Sequence, residues 1–353
     1  MAASFSIDGR PIGPDHPPYI VAEMSGNHNG EIDRALRLID AAKGAGADAV
    51  KLQTYTADTI TIDHDGPGFV LKGGLWDGRR LHDLYEEAHT PWDWHEALFE
   101  HARQIGISIF SAPFDPTAVD LLESLNAPAY KIASPEIVGL ALIERCAATG
   151  KPLIISTGMA TFEEIETAVA TARGAGASEI LVLHCISSYP TPLDQAHLST
   201  IGDLSRRFGA PVGLSDHTLD TFAAAVAVGQ GAVLIEKHFT LARADGGVDS
   251  AFSLEPDELK RLVDDSRAAH ASLGQPNYRP STAEQGMLIA RRSLFVVADI
   301  RAGEPFTPEN VRSIRPNLGL PPRHLKAVLG AVATRDVKRG EPLAADMIED
   351  FEA

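Results

Sequence analysis

"PLIISTGMATFEEIETAVATARGAGASEILVLHCIS", residues 152 to 187, reads as a strand, a helix and a second strand. "PLIISTG" is a short aliphatic run with the length and β-branched content of a buried strand, and "ILVLHCIS" from 180 is another. Between them "TFEEIETAVATARGAGA" spaces its apolar residues with helical periodicity and ends on glycines, as a helix C-terminus should. From Pro18 to Gly274 the same alternation recurs. The other strand candidates are "YIVAEM" from 19, "AVKLQTY" from 49, "ISIFSAPF" from 107, "AYKIAS" from 129, "PVGLSDHT" from 211 and "VLIEKHFT" from 233. Eight such pairs in about 250 residues predict an α/β fold of the (β/α)8 TIM-barrel type. An open, doubly wound sheet would carry GxGxxG at its first βα turn, and "EMSGNHNG" does not supply it. "KGAGADAV" and "RGAGASEI" read as helix-to-strand turns at the non-catalytic end of the barrel rather than as phosphate loops.

Two segments depart from this alternation. Residues 55 to 90 are longer than an ordinary βα connection and predict a lid or cover. After "QPNYRPS", a linker composition, the chain echoes itself: "DIRAGEPFTPENV" from Asp299 and "DVKRGEPLAADMI" from Asp336 align Gly303 with Gly340 and Pro305 with Pro342. The expected organisation is a catalytic barrel over 1–280, then a linker and a small, mostly β domain over 281–353.

With 353 residues and 44% hydrophobic content the chain can bury a sizeable core. A net charge of -17 argues against nucleic acid or an anionic membrane as partner. Neither a membrane-spanning run nor a signal peptide is read from the sequence, so a cytoplasmic location is expected. Cys146 and Cys185, in a helix and a strand, suit a reducing compartment.

In a TIM barrel the chemistry sits at the C-terminal ends of the strands, and here the polar residues fall there repeatedly. Glu23 ends the first strand, with Asn27, His28 and Asn29 after it. Lys51 and Gln53 share a face of the second strand. Lys131, Ser134 and Glu136 follow on the fourth, Ser156 and Thr157 on the fifth, His184, Ser187 and Tyr189 on the sixth, and Ser215, Asp216 and His217 on the seventh. His217 and His238 occupy equivalent late positions on neighbouring strands, so their imidazoles can converge on a divalent cation whose other positions go to water or substrate. The alternative is that each histidine hydrogen-bonds a barrel carboxylate. Lys51 and Lys131 offer the local positive charge an acidic protein needs for a phosphate or carboxylate. In "LIEKHFT", 234–240, alternation puts Glu236 and His238 on the interior face, Glu236 as a candidate partner of His238, and Lys237 outside with a local carboxylate.

"IVAEMSGNHNG", "VKLQTY", "AYKIASPE", "IISTGMA", "HCISSYP", "GLSDHT" and "EKHFT" together resemble the signature segments of the sialic acid synthase family, over nearly the whole chain. "RRSLFVVADIRAGEPFTPENVRSIRP" resembles the family's antifreeze-like (SAF) domain. Within the family, "RADGGVDSAFSLEP", "KLQTYTADT" and "LYEEAHTPWDWH" are more similar to the pseudaminic acid synthases than to the N-acetylneuraminate synthases. The resemblance implies a transferase that condenses phosphoenolpyruvate with an open-chain amino-sugar aldehyde, with C–O cleavage and release of phosphate. For the pseudaminic branch the acceptor is a 6-deoxy 2,4-diacetamido altrose; N-acetylneuraminate or legionaminate synthesis is the alternative. The resemblance further implies Mn2+ or Mg2+ on His217 and His238. Lys51, Lys131, Ser134, Ser156 and Ser215 would bind phosphoenolpyruvate, with Ser187 where several relatives have Asn. Glu23 and Glu136 match the family's active-site carboxylates, and Gln53, Tyr189 and Asp249 match positions that face the sugar. Arg315 matches an arginine that reaches into a partner's barrel, implying a domain-swapped homodimer. Two other readings are a Schiff-base aldolase using Lys131 and a carbohydrate- or ice-binding protein marked by the SAF-like tail; the second leaves the polar strand ends unexplained.

Overall fold

The computed structural model describes residues 5–352, and the chain divides into two compact units between Gly274 and Gln275 rather than after Pro280. In the first unit eight parallel strands close into a barrel. They are β1 (Tyr19–Glu23), β2 (Ala49–Thr54), β3 (Ser108–Pro113), β4 (Tyr130–Ile132), β5 (Leu153–Ser156), β6 (Ile180–Cys185), β7 (Val212–Asp216) and β8 (Leu234–His238). Each expected strand is present, beginning on the expected residue or the next. Their helices are α1 (Ile32–Ala45), α2 (His95–Ile105), α3 (Pro116–Ser124), α4 (Leu140–Ala147), α5 (Phe162–Gly174), α6 (Thr200–Phe208), α7 (Phe222–Gly229) and α8 (Pro256–Leu273). The turns after α1 and α5 pass through Gly46 at φ 90° and Gly176 at φ 105°, a region closed to most side chains.

The strands read as continuous apolar runs because both of their faces are buried, one under the helices and one inside the barrel. The interior layer comprises Tyr19, Val21, Ala49, Phe110, Ala129, Ile154, Leu181, Leu183 and Leu234, closed at the N-terminal end by Phe5, Ile7 and Ile12 from a short hairpin. Ile20, Ala22, Val50, Leu52, Ile132 and Ile155 face the helices. A strand alternates with period two, so this core fixes which of the later residues on each strand also point inward. Val21 inward puts Glu23 inward; Ala49 does so for Lys51 and Gln53, Ala129 for Lys131, Ile154 for Ser156, Leu183 for Cys185, and Leu234 for Glu236 and His238. The β7–β8 register, Glu236 opposite Ser215 and Lys237 opposite Asp216, brings His217 beside His238 at the strand ends.

The second unit holds an antiparallel pair, β9 (Ser293–Val296) with β10 (Val311–Ile314), over a core that includes Leu294, Val296, Ile300, Phe306, Val337 and Leu343. Its two echoing segments fold alike. Arg301 N–H donates to the Glu304 carboxylate (2.8 Å) and Lys338 N–H to that of Glu341 (2.7 Å), around Gly303 at φ 83° and Gly340 at φ 94°. The two turns pair with each other through Ile300 and Val337. Among the described residues no helix is long and apolar enough to cross a membrane.

Candidate active site

Four ionisable groups meet inside the barrel just beyond its apolar layer. Lys51 forms an ion pair with Glu23 and lies 3.6 Å from Glu236 Oε1; Lys131 Nζ donates to the same oxygen at 2.5 Å, and Ser215 Oγ at 3.1 Å. All are buried. Burial by itself raises a carboxyl pKa, but Lys131 and Lys51 outweigh it at Glu236 and hold it down at about 2. At Glu23 burial wins against Lys51, and the pKa is raised. Burial likewise lowers Lys131, whereas Glu23 and Glu236 overcome it at Lys51 and raise that ammonium. The lysines therefore do not present a bare positive patch: each is matched by a buried carboxylate.

His217 and His238 stand next to this cluster with ring centroids 5.4 Å apart. His217 Nδ1 donates to the Ile186 carbonyl at 2.9 Å, so the neutral ring carries its lone pair on Nε2; burial opposes the charged ring, but Cys185 and that carbonyl outweigh it and raise the pKa. His238 Nδ1 is buried without a hydrogen-bond partner; burial first, then His217 and the lysines, keep its pKa well below the usual histidine value, so it is neutral and able to donate a lone pair. Glu236 is not the partner expected for His238, because the two lysines and Ser215 claim it. The nearest carboxylate is Asp249, 3.9 Å from Nδ1. Among the described residues no group of three or more His, Cys, Asp or Glu gathers as a metal cluster. Two imidazoles are thus what the barrel offers a cation, and water or substrate oxygen would complete its shell.

A polar cradle adjoins His217 through Cys185, whose Sγ lies 3.9 Å from both His217 Nδ1 and Ser187 Oγ. Gly158, at φ 30°, packs so tightly that a Cβ there would run into the Ser134 side chain and come within 2.6 Å of Ser187 Oγ. Any side chain would fill this gap. The buried Ser156 Oγ and Glu136 Oε2 have no partner. Burial pushes the Glu136 carboxyl up to about 7. Unpartnered buried polar atoms are costly, and their concentration here marks where a polar ligand would sit.

The sugar-facing candidates line the outer rim. Gln53 Nε2 donates to Glu23 Oε1 and Ser25 Oγ, both at 3.1 Å, and Ser25 in turn donates to Asp249. Ser25 adopts φ 48°, a left-handed conformation unfavourable for a non-glycine residue, and its hydroxyl bridges Gln53 and Asp249. The Tyr189 ring lies 4.3 Å from that of His217, and the Phe252 ring 4.9 Å from that of His238. Over them comes the long β2 connection, whose Trp76 donates its indole N–H to the Val248 carbonyl at 2.9 Å.

The barrel unit therefore brings together Glu23, Lys51, Gln53, Lys131, Ser134, Glu136, Ser156, Ser187, Tyr189, Ser215, His217, His238 and Asp249 around one mouth. Arg315 belongs to the other unit, in a concavity of about 440 Å³ shared with Arg291, Arg292 and Met287. Other strand-end polar residues are scaffold. His184 bonds the Ala196 carbonyl at 2.7 Å, Asn27 ties the β1 loop to Phe239 and Ser253, and Asp216 receives the fully buried Lys237 at 2.8 Å on the outer face. Sequence reasoning missed Ser25, Phe252 and Trp76. Phe252 and Trp76 lie in loops with no periodic pattern, and only the unusual length of the 55–90 connection pointed toward the last.

Comparison with known proteins accords with this geometry. A profile of the NeuB family matches residues 38–278 and one of the SAF domain residues 291–349. The chain is 44% identical to the pseudaminic acid synthase of Helicobacter pylori, across 94% of this chain and 98% of that one, and 42% identical to that of Campylobacter jejuni, across 93% and 96%. The crystal structure of an N-acetylneuraminic acid synthetase from Leptospira borgpetersenii superposes with a TM-score of 0.73 at 32% identity, covering 82% of this chain and 96% of that one.

Proposed function

The chain belongs to the NeuB family, and from that premise we propose that it condenses phosphoenolpyruvate with 2,4-diacetamido-2,4,6-trideoxy-L-altrose, giving pseudaminic acid and phosphate. The observation that carries the chemistry is the convergence, in one barrel mouth, of two neighbouring imidazoles, two buried lysines and the unpartnered Ser156 and Glu136 atoms. The choice of acceptor is supported by the 44% and 42% identity to pseudaminic acid synthases against 32% to the neuraminic acid enzyme.

Phosphoenolpyruvate fits the inner side of the mouth. Ser134, Ser156, Ser187 and Ser215 supply neutral donors, and Lys51 and Lys131 supply charge. Ion-paired with Glu23 and Glu236, the two lysines stand ready to turn an ammonium N–H toward the incoming anion. A divalent cation, Mn2+ or Mg2+, held by His217 and His238 would supply Lewis-acid polarisation of the acceptor's aldehyde. Gln53, Asp249 and Tyr189 orient that acceptor so that carbon 3 of phosphoenolpyruvate meets the aldehyde carbon. As the bond between them forms, the carbonyl electron pair passes to the aldehyde oxygen. Water then adds at carbon 2; Glu136 takes one of its protons, and the new hydroxyl at the aldehyde carbon is completed with it. The carbon 2–oxygen bond breaks to leave the keto group, while phosphate departs with the bridging oxygen and the second proton. A Glu136 pKa of about 7 suits a group that must accept a proton near neutrality.

Arg315 completes the site from a second copy in a domain-swapped homodimer; the family resemblance and the basic setting of Arg315 beside Arg291 and Arg292 support this. Use of phosphoenolpyruvate supports a cytoplasmic location. The test of the acceptor is phosphate release from phosphoenolpyruvate with each candidate sugar in turn. Turnover with the diacetamido altrose is expected, and a preference for N-acetylmannosamine would overturn the assignment.

A further inference from the structure

The long connection after β2 reaches across the barrel mouth, and its Trp76 is the residue that lands there. Its indole N–H is spent on the Val248 carbonyl of the loop after β8. The ring therefore has no polar atom left to offer. It packs 5.6 Å from the Tyr189 ring and 6.4 Å from the Phe252 ring, and those two lie 5.1 Å apart. Tyr189 and Phe252 are the rings that touch His217 and His238. The three aromatics thus form one continuous wall that begins at the histidines and runs outward to Trp76. Its polar atoms are the Tyr189 hydroxyl and the Trp76 indole nitrogen, the latter already spent on Val248. Beside the wall runs a polar chain, Gln53, Ser25 and Asp249, the last of them following Val248 directly.

We propose that Trp76 is a specificity-determining residue, the outer end of an aromatic wall that selects an acceptor whose far end is a methyl rather than a hydroxymethyl group. This rests on the proposed function, in which the reacting aldehyde lies at the histidine pair. The carbon chain then extends along the wall, and its last carbon reaches the ring of Trp76. Against the face of the Trp76 ring, whose N–H is already spent on Val248, a hydroxyl gains no hydrogen bond from the ring and loses hydration, whereas a methyl gains aromatic contact. The selectivity has a ceiling. A purely apolar surface rejects an added hydroxyl by only about 100-fold.

The measurement is kcat/KM of the full chain, with divalent cation, for the 6-deoxy acceptor and for its 6-hydroxy counterpart. Trp76→Ala should lower the ratio of the two at least tenfold, through loss on the 6-deoxy acceptor, with KM for phosphoenolpyruvate unchanged. Trp76→Phe, which keeps a ring but no N–H, should hold the ratio within about threefold of the unaltered protein. Equal loss on both acceptors with Ala would reduce Trp76 to a structural role and overturn the proposal; so would a ratio that collapses equally with Phe. Failure of the underlying function is separate. It would appear in the unaltered protein as no turnover of either altrose, before any variant is made.

Discussion

At the N-terminal end of the barrel the strands send Val21, Ala49, Ile154, Leu183 and Leu234 inward, under the plug formed by Phe5, Ile7 and Ile12. Two residues further along, the same strands send in Glu23, Lys51, Ser156, Cys185 and Glu236. The two ends share backbone, register and degree of burial, yet their energetics have opposite sign. Each large aliphatic side chain buried at the plug contributes about 1.5–3 kcal/mol. Each ion buried at the mouth costs several kcal/mol before its partner offsets it. A barrel that carries two buried ion pairs, an unpartnered serine hydroxyl and an unpartnered imidazole at one end depends on an apolar layer at the other. The same contrast gives each end its own experimental signature: changes at the mouth should reach turnover first, and changes at the plug should reach stability first.

The largest expected effect is at the histidines. His217→Ala or His238→Ala should lower kcat/KM on the order of 1000-fold, as loss of a transition-state electrophile does. EDTA should do the same to the unaltered protein and Mn2+ should reverse it. The thermal midpoint of His238→Ala should hold or rise, because His238 Nδ1 is already an unpartnered buried polar atom, whereas His217→Ala also loses the hydrogen bond to the Ile186 carbonyl. Near-normal turnover in both variants would remove the cation from the scheme. Leu181→Ala at the plug is the converse. Leu181 is fully buried in the interior layer, so its truncation should cost about 2–5 kcal/mol in denaturant unfolding. Below the melting transition kcat should stay within about twofold of the unaltered value, since a cavity at this depth does not move the mouth. A large loss of kcat at low temperature would show that the two ends are mechanically coupled.

How much of this was legible in the sequence follows the same divide. The strands could be read because each carries its signal locally, as in "PLIISTG" and "ILVLHCIS". The interior position of Glu236, His238, Lys51 and Gln53 followed from a period of two. What the period could not reveal is which neighbour an inward side chain meets. Glu236 was expected beside His238 on its own strand, but it bonds Lys131, 105 residues earlier, because barrel closure brings strands four and eight across one interior. Trp76 was hidden for a related reason. Its partner Val248 lies 172 residues away, and neither loop has a periodic face from which to infer it. Ser25 is concealed by its left-handed backbone, which no local pattern announces.

The smallest effect expected at neutral pH, and the one that resolves the mouth most finely, is the titration of its two unlike carboxyls. Burial raises Glu136 to about 7, whereas Lys131 and Lys51 hold Glu236 at about 2 against the same burial. The raised group favours the folded state when protonated, so its contribution is present below the unfolded carboxyl value and is lost as pH rises through about 7. The depressed group does the reverse: its contribution is present above the unfolded value and is lost as pH falls through about 2. Catalysis adds a second constraint, because a proton acceptor must be ionised. kcat should therefore fall about tenfold per pH unit well below 7, and only about twofold at pH 7 itself. Glu136→Gln should abolish that limb, lower the plateau by about 100-fold or more, and make stability less dependent on pH between the unfolded carboxyl value and 7. A limb that survives the substitution would transfer the proton-accepting role to one of the two other carboxyls in the mouth whose pKa burial raises, Glu23 or Asp249. Glu23 is ion-paired with Lys51 and hydrogen-bonded by Gln53, so in the first case Gln53→Ala should displace the limb along the pH axis, whereas a limb owned by Glu136 should not move.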